Sequence, residues 1–435
     1  MLSPARKLCY QILCRIEQRQ IFSDDALNSD AMKRLDIRDR HLTTEILYGS
    51  LRWQAMLDYV LSSVCSRPWH QVDPRARILL RMSLYQMWLM ERIPEYALVD
   101  DAVELAKKKL GRGVGGFTNG ILRSLARSQP WKNEALISLA PPWIRVSLPE
   151  WLWRRWAARY GEVQARDFAL SLNAPPQTAL RFLEDPGGAA SPLPGMQRSF
   201  LVPGAYIREP GVNMPPGEGN GAPGFHYQDE ASQLIPHLLP VQTGWKIWDV
   251  CAAPGGKSAI LARACGPSGR VTASDLSKER MQRLRRFLRE GKVCNTDLLL
   301  ADASNSVPFG RKFDAVLADV PCSGIGTLRR NPEIKWNFDP GEFAALQKTQ
   351  KSILHHASEA VRVGGSLLYS TCSTEPEENE QVIEHFLQTH PGFRLIVPEN
   401  PPGIEKWVGE DGLVRTFPSL RRWDGFFAAL MTRSR

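Results

Sequence analysis

At 435 residues the chain is too long for one ordinary domain, so two or three are expected. Its 43% apolar content suits packed cores and excludes wholesale disorder, and no run approaches the roughly 18 uninterrupted apolar residues of a membrane span. A net charge of +9 favours a polyanionic partner without identifying one. Residues 1–140 hold 21 Lys/Arg against 15 Asp/Glu, so +6 of that excess lies in the front third, which is the first candidate for a nucleic-acid contact surface.

The opening segment MLSPARKLCYQILCRIEQ spaces its apolar residues as on an amphipathic helix. A secretory signal would show a continuous apolar core and a small-residue cleavage site, so a cytoplasmic location is expected. Residues 1–140 read as helices throughout. In ARILLRMSLYQMWLMERI (76–93) and YALVDDAVELAKKKL (96–110), apolar residues recur at three- and four-residue spacings. Pro94 separates the two and Gly111 is placed to end the second, which predicts a helical bundle. The run Gly111-Arg-Gly-Val-Gly-Gly116 follows a helical segment and lacks the strand-to-helix context of a dinucleotide motif, so it reads as a basic interhelical loop. Residues 141–186 are rich in Trp and Arg and turn strand-like near TALRFL. The stretch 187–224 carries a dense Gly/Pro load and reads as loops. Residues 141–225 are therefore set apart as a small α/β linker domain.

From 226 onward short apolar runs alternate with helical stretches: KIWDVCAA, RVTASD, DLLLADA and FDAVLADV, a long helix around 342–361, then GSLLYSTCS, another helix, FRLIV and GFFAALM. That alternation predicts a parallel α/β sheet wound on both faces. The last strand follows its predecessor without room for a crossover helix and must pair antiparallel.

Ligands of open α/β sheets bind beyond the carboxyl ends of the strands. The first strand here runs into Cys251-Ala252-Ala253-Pro254-Gly255-Gly256-Lys257, where the glycines permit a tight turn and close backbone approach. The second ends in Asp275, placed to accept hydrogen bonds from ribose hydroxyls; the third ends in Asp302 and the fourth in Asp319. Each acid alone reads as a cap or turn residue. Together they predict a cofactor site, and CAAPGGK is not the G-x-G-x-x-G of a pyrophosphate cradle.

Eight cysteines sit at 9, 14, 65, 251, 265, 294, 322 and 372. No CxxC pair occurs, so no zinc ribbon or other metal site is expected, and six of the eight read as free packing thiols. Cys322 and Cys372 differ. They follow the fourth and fifth strands in Asp319-Val-Pro-Cys-Ser-Gly324 and Ser370-Thr-Cys-Ser373, on the edge where a cofactor must lie. Such a pair suits methylation of cytosine at carbon 5. One thiolate adds at carbon 6 to make carbon 5 nucleophilic, and a second group later removes the carbon-5 proton.

CAAPGGK, DVPCSGIG, RRNPEIKW and STCSTEPEENE resemble the signature blocks of the Sun/Fmu family of RNA cytosine-5 methyltransferases. IPEYALVDDAVELAKK and FTNGILRSL resemble the NusB-like helical domain of its bacterial ribosomal members, which act on a cytosine of small-subunit ribosomal RNA. The resemblance implies a NusB-like RNA-binding domain over 1–140, a small RNA-binding linker over 141–225, and over 226–435 a Rossmann-like methyltransferase domain with a mixed seven-stranded sheet. It implies Cys372 as nucleophile, Cys322 in proton removal and product release, Asp319 on the cytosine's polar edge, and Lys257 orienting Asp319 or the methionine carboxylate. Residues 251–257, Asp275, Asp302 and Asp319 would hold S-adenosylmethionine, with Gln228 and Asp229 lining the pocket. Arg329, Arg330 and Lys335 would touch RNA. Val320 and Ile325 depart from the family pattern, as do RFLEDPGG and 187–224. A monomer without DNA or membrane partners is expected. The rival readings are a DNA cytosine-5 methyltransferase, whose Glu-Asn-Val segment is not found, a transfer-RNA methyltransferase, and a non-catalytic RNA-binding assembly factor.

Overall fold

The computed structural model describes residues 2–90, 93–183, 195–209, 224–306, 309, 312–417 and 423–434. The chain divides into two compact units: Met1–Pro175 with Leu328–Phe338, and Pro176–Thr327 with Asp339–Arg435. The segment 141–225 is thus shared, its helices Glu150–Tyr160 and Glu162–Asn173 falling in the first unit and its strands in the second.

The first unit is helical, as its periodicity predicts. Its longer front helices are Pro4–Glu17, Ile37–Arg52, Gln54–Val64, Pro74–Leu89, Glu95–Leu110 and Arg112–Ser128. Ser3, Asp36 and Asp73 cap three of them through side-chain oxygens that accept from first-turn amides. Helix Pro74–Leu89 is buried nearly all round, the mark of a central helix. It contributes Ile78 and Leu79 to a cluster with Ile46, Leu47 and Leu105, and Leu80 and Leu84 to another with Leu57, Leu61 and Leu122. Arg81 on this helix is buried and meets both carboxylate oxygens of Asp58 at 2.6 and 2.7 Å, a fork geometry that offsets the cost of burying the charge.

The run Gly111–Gly116 corrects the loop reading. Only Gly111, at φ +99°, links the two helices; from Arg112 the chain is already helical. A Cβ at Gly115 would fall 2.5 Å from Lys107 Cγ, so the glycine is there to let helices pack closely. The exposed lysines 107, 108 and 109 occupy the last turn of Glu95–Leu110, where cations suit the helix dipole.

Segment Leu328–Phe338 overturns another expectation. Arg329 and Lys335 are each about 1% exposed and do not offer themselves to RNA. Arg329 Nε donates to Ser171 O at 2.9 Å. Lys335 Nζ donates to Asn173 Oδ1 at 2.8 Å, Ser147 O at 3.2 Å and Arg52 O at 3.3 Å. Glu333 accepts from the amide and hydroxyl of Ser23, Trp336 Nε1 donates to Leu51 O, and Asn337 donates to Ile16 O. Arg330 is half-buried. A hydrophilic run is easily read as a solvated loop; here its polar ends satisfy helix carbonyls that burial would otherwise leave unpaired.

The second unit holds two sheets. Strands β1 (Ala179–Phe182), β2 (Met196–Arg198), β3 (Ala205–Arg208) and β4 (Phe225–Tyr227) pair antiparallel in the order β2-β3-β1-β4. Part of the stretch read as loops therefore forms strands, because β3 pairs with the TALRFL strand and β2 pairs with β3; residues 187–194 and 210–223 lie outside the described residues. The larger sheet comprises β5 (Lys246–Asp249), β6 (Arg270–Asp275), β7 (Thr296–Leu300), β8 (Phe313–Asp319), β9 (Val361–Thr371), β10 (Phe393–Leu395), β11 (Val414–Arg415) and β12 (Phe427–Arg433). Its order is β10-β12-β9-β8-β5-β6-β7, the expected seven strands, with the two-residue β11 added beside β12. β5 to β9 run parallel, and β12 lies antiparallel between β9 and β10; the pairing is the expected one, but 31 residues separate β10 from β12, so a short connection is not its reason. Alternate residues feed two cores, Ile247, Leu317 and Leu368 on one face and Trp248, Val316 and Leu367 on the other. Burial on both faces is why these strands read as continuous apolar runs.

The buried Lys335 yields a pH prediction. Burial first, and the Arg52 charge second, lower its ammonium from 10.5 to about 7. The unfolded chain then binds more protons between those values, so this residue's cost to stability fades as pH rises from about 7 toward 10.5. Chemical denaturation across that window should show Lys335→Met losing this rise relative to the parent. It should also lower stability at pH 7 by roughly 1–3 kcal/mol, since buried acceptors lose their donor. Parallel pH profiles for the two proteins would refute this.

Candidate active site

The site grows from strand ends of the larger sheet. β5 ends in Asp249 and runs into the glycine turn, which is held against β6 by Ala252 N donating to Ser274 O at 2.8 Å. Gly255 takes φ +118°, and a Cβ there would meet Leu284 Cδ1 at 2.6 Å; one on Gly256 would meet Gln228 Oε1 at 2.8 Å. These contacts explain both glycines and place Gln228 against the turn. Asp229 caps helix Glu230–His237 through Ala231 N and also accepts from Asp424 N. Asp275, 3% exposed, accepts from Ser277 N at 3.0 Å and Ala253 N at 3.4 Å, which fixes its carboxylate beside the turn.

Lys257 Nζ donates to Asp319 Oδ2 at 2.7 Å, while Ser370 Oγ donates to Asp319 Oδ1 at 2.6 Å. Burial pulls the ammonium of Lys257 down, but attraction to Asp319, with Cys372 and Asp249 adding to it, wins and holds it above its ordinary value. The site thus has a fixed cation facing Cys372. Asp302, like Asp275, accepts from the amide two residues on. Its carboxylate accepts from Ser304 N and Oγ and from Asn305, so it is engaged in its own turn, and these bonds hold its carboxyl below the usual value.

Cys322 and Cys372 come together with their sulfurs 3.1 Å apart, both free thiols. The hydrogen bond to Cys372, then burial, push the Cys322 thiol well above its ordinary value. Cys251 is also raised, first by burial and then by Asp249, Asp319 and Asp275, which leaves it an inert thiol among acids.

Three features escaped the sequence reading. Asp249 is a fourth strand-end acid, fully buried and pushed up to about 7, by burial first and then by Asp319 and Asp275. Its Oδ2 accepts from Ser258 Oγ at 2.6 Å, and its Oδ1 has no partner among the described residues. An acid ending an apolar run just before a glycine turn was the available signal. Glu378 and Asn379 brace the two cysteine loops from one short segment. Glu378 accepts from Ser323 N at 2.8 Å, Ser323 Oγ at 2.5 Å and Gln350 Nε2 at 2.9 Å. Asn379 accepts from Thr371 Oγ1 and donates to Ser373 O. Finally, Gly326 N donates to Cys372 O and Gly425 N to Gly326 O; a Cβ on Gly326 would sit 1.9 Å from Gly425 O.

The family model described as 16S rRNA methyltransferase RsmB/F matches residues 236–432, and that of the NusB family matches residues 3–127. The "Probable ribosomal RNA small subunit methyltransferase B" of Bacillus subtilis (strain 168) is 33% identical, with 98% of each chain covered. The chain belongs to the RsmB/F methyltransferase family. The "Ribosomal RNA small subunit methyltransferase B" of Pseudomonas putida is 31% identical, with 92% of each chain covered. The solved structure titled "Crystal Structure of PH0851" has a TM-score of 0.81 and 26% identity, covering 100% of this chain and 99% of its own. The membership agrees with the resemblance carried by the signature blocks and with the order of helical unit and Rossmann-like sheet. Among the described residues no helix is long and apolar enough to cross a membrane.

Within this family fold, Glu378 is a positioning residue for the Cys322 loop. Glu378→Gln turns an amide N–H₂ toward donors that now meet a carboxylate. We expect methyl transfer to slow at least about tenfold, equivalent to ~1.4 kcal/mol, while cofactor affinity by calorimetry changes little. An equal loss of both would mean general unfolding instead of misalignment.

Proposed function

We propose that this methyltransferase modifies carbon 5 of a cytosine in 16S ribosomal RNA, cytosine 967, through a covalent adduct with Cys372. The observation that carries this reading is the pair of sulfurs at 3.1 Å beside the Lys257–Asp319 ion pair. The cofactor is S-adenosylmethionine, which supplies an electrophilic sulfonium methyl when bound. The residues present fit it: Asp249 Oδ1 is a buried acceptor awaiting a donor, and the acids at 249, 275 and 319 suit a cationic ligand. Residues Cys251 to Lys257 and Asp275 would line it, with Asp275 accepting from the ribose hydroxyls. Asp302 would act through its turn.

The target base must first be swung clear of its stack, at a cost of a few kcal/mol. Cys372, facing the Lys257 ammonium, then adds as thiolate to carbon 6, and the displaced π pair makes carbon 5 the nucleophile. Asp319, its charge fixed by Lys257 and Ser370, faces the polar edge of the base. Bonding of Cys372 to carbon 6 removes its negative charge and its hydrogen bond, two of the effects that raise Cys322. Cys322 can then give its proton to solvent and, as thiolate, take the one on carbon 5; the pair left behind re-forms the ring double bond and expels Cys372. Ribosomal RNA as substrate accords with a cytoplasmic location. The helical unit, with its exposed lysines 107–109 and Arg112, contributes affinity for the phosphate backbone.

Experiments on the cysteines, the substrate and the helical unit test this. Cys372→Ala should give neither product nor adduct. Cys322→Ala should accumulate a protein–RNA complex that survives denaturing gels, and the double variant should lose it. An adduct in Cys372→Ala but not in Cys322→Ala would reverse the roles. Small-subunit ribosomal RNA and transfer RNA, offered separately with labelled cofactor, decide the substrate, and mapping the methylated base decides the position. For the helical unit, replacing Lys107, Lys108 and Lys109 by Glu should weaken RNA binding. It should flatten the log–log salt slope by roughly 2–3, because fewer counterions are released. An unchanged slope would remove these lysines from the interface.

A further inference from the structure

Four of the eight histidines, 355, 356, 385 and 390, fall within one stretch of 36 residues, and none is used by the chemistry above. Helix Phe343–Glu359 carries His355 and His356, and Glu359 follows them at spacings of four and three, which bring side chains onto neighbouring positions of a helix face. One potential ligand atom from each of His355, His356 and Glu359 lies within 4.8 Å of the other two. His355 and Glu359 are exposed and His356 is half-buried, so the trio is open to an incoming ion.

The surroundings of the two imidazoles add an independent observation. His356 Nδ1 lies 2.9 Å from Ser352 O and so donates to it, leaving Nε2 as a bare lone pair. His355 Nδ1 lies 2.8 Å from His390 Nε2. His390 Nδ1 lies 3.1 Å from Phe386 O and 2.9 Å from Thr389 Oγ1, whose own proton goes to His385 O, and its ring is stacked on Phe386 with centroids 4.3 Å apart. With the His390 proton on Nδ1, its Nε2 accepts from His355 Nδ1, and His355 Nε2 is bare as well. Both histidines therefore have one nitrogen held by an acceptor and the other free, the arrangement that orients metal-binding imidazoles. Lys351, the nearest cation on the same helix, turns its ammonium to Gln347 Oε1 at 3.2 Å.

We propose that His355 Nε2, His356 Nε2 and the Glu359 carboxylate form a site for a divalent transition cation of the zinc class, with His390 orienting His355. Two imidazoles and a carboxylate are a borderline donor set that suits zinc, with water completing the tetrahedron. Bonds of about 2.0–2.1 Å require the ligand atoms to draw in to roughly 3.4 Å apart, which small rotations of exposed side chains accomplish. A cavity of about 260 Å³ lies beside His355, bounded also by His385, Phe386 and His390.

The test uses the untagged full-length protein titrated with Zn²⁺ against a chromophoric chelator, with Co²⁺ as spectroscopic probe. One ion per chain is expected. Binding should vanish in His355→Ala/His356→Ala, fall markedly in Glu359→Gln, and weaken about tenfold in His390→Ala, the cost of losing an orienting partner. The Co²⁺ spectrum should lack thiolate charge-transfer bands. Circular dichroism should show these surface variants folded. No binding by the parent, binding retained in His355→Ala/His356→Ala, or thiolate bands that disappear in Cys322→Ser/Cys372→Ser would overturn the proposal; the last result places the metal on the cysteine pair instead.

Discussion

The ion pair between Lys257 and Asp319 joins the glycine turn after β5 to the end of β8, and the active-site edge is organised around it. A mostly buried ammonium carries a desolvation cost, and the 2.7 Å contact with Asp319 offsets it. With Ser370 Oγ on its other oxygen, Asp319 cannot rotate without losing one of two short bonds. The pair therefore fixes a positive charge near Cys372 and a carboxylate at the end of β8. Asp249, buried behind it and raised toward neutrality, shows how much negative charge converges on these strand ends.

A second constraint holds the sulfurs. Neither cysteine sits on regular structure; each lies just past a strand, on backbone that would be mobile without further bonds. The fully buried Glu378 takes three donors, two of them from the residue after Cys322. Asn379, next in the chain, ties the residues on either side of Cys372. The backbone contact of Gly326 with Gly425 and Cys372 closes the arrangement, and it depends on the absence of a side chain. The 3.1 Å separation of the thiols is thus a product of buried hydrogen bonds and of two glycines, none of which carries the chemistry itself.

The segment Leu328–Phe338 shows that position in the chain does not predict membership of a folded unit. It follows the Pro-Cys loop in sequence, yet folds within the helical unit, where Lys335, Glu333 and Trp336 complete hydrogen bonds that the helices leave open. Removal of residues 1–140 would accordingly do more than delete a proposed RNA-binding surface. It would strip Arg52 from a lysine buried among polar acceptors.

What the sequence by itself determined is what depends on local order. Helices with three- and four-residue periodicity, strands as apolar runs, Pro94 and Gly111 at helix ends, and Asp275, Asp319, Cys322 and Cys372 at strand ends follow from spacing, because secondary structure and strand polarity are set by neighbours in the chain. The signature blocks likewise carried the family. Tertiary structure alone decided the features that need residues far apart in sequence. Charge made Arg329 and Lys335 look solvated, and only packing shows that their partners are carbonyls over 150 residues away. Asp249 was hidden in an apolar strand, and Glu378 in a run of acids that composition cannot tell from a solvated face. Desolvation and hydrogen-bond satisfaction are properties of a three-dimensional neighbourhood, and a linear pattern does not contain that neighbourhood.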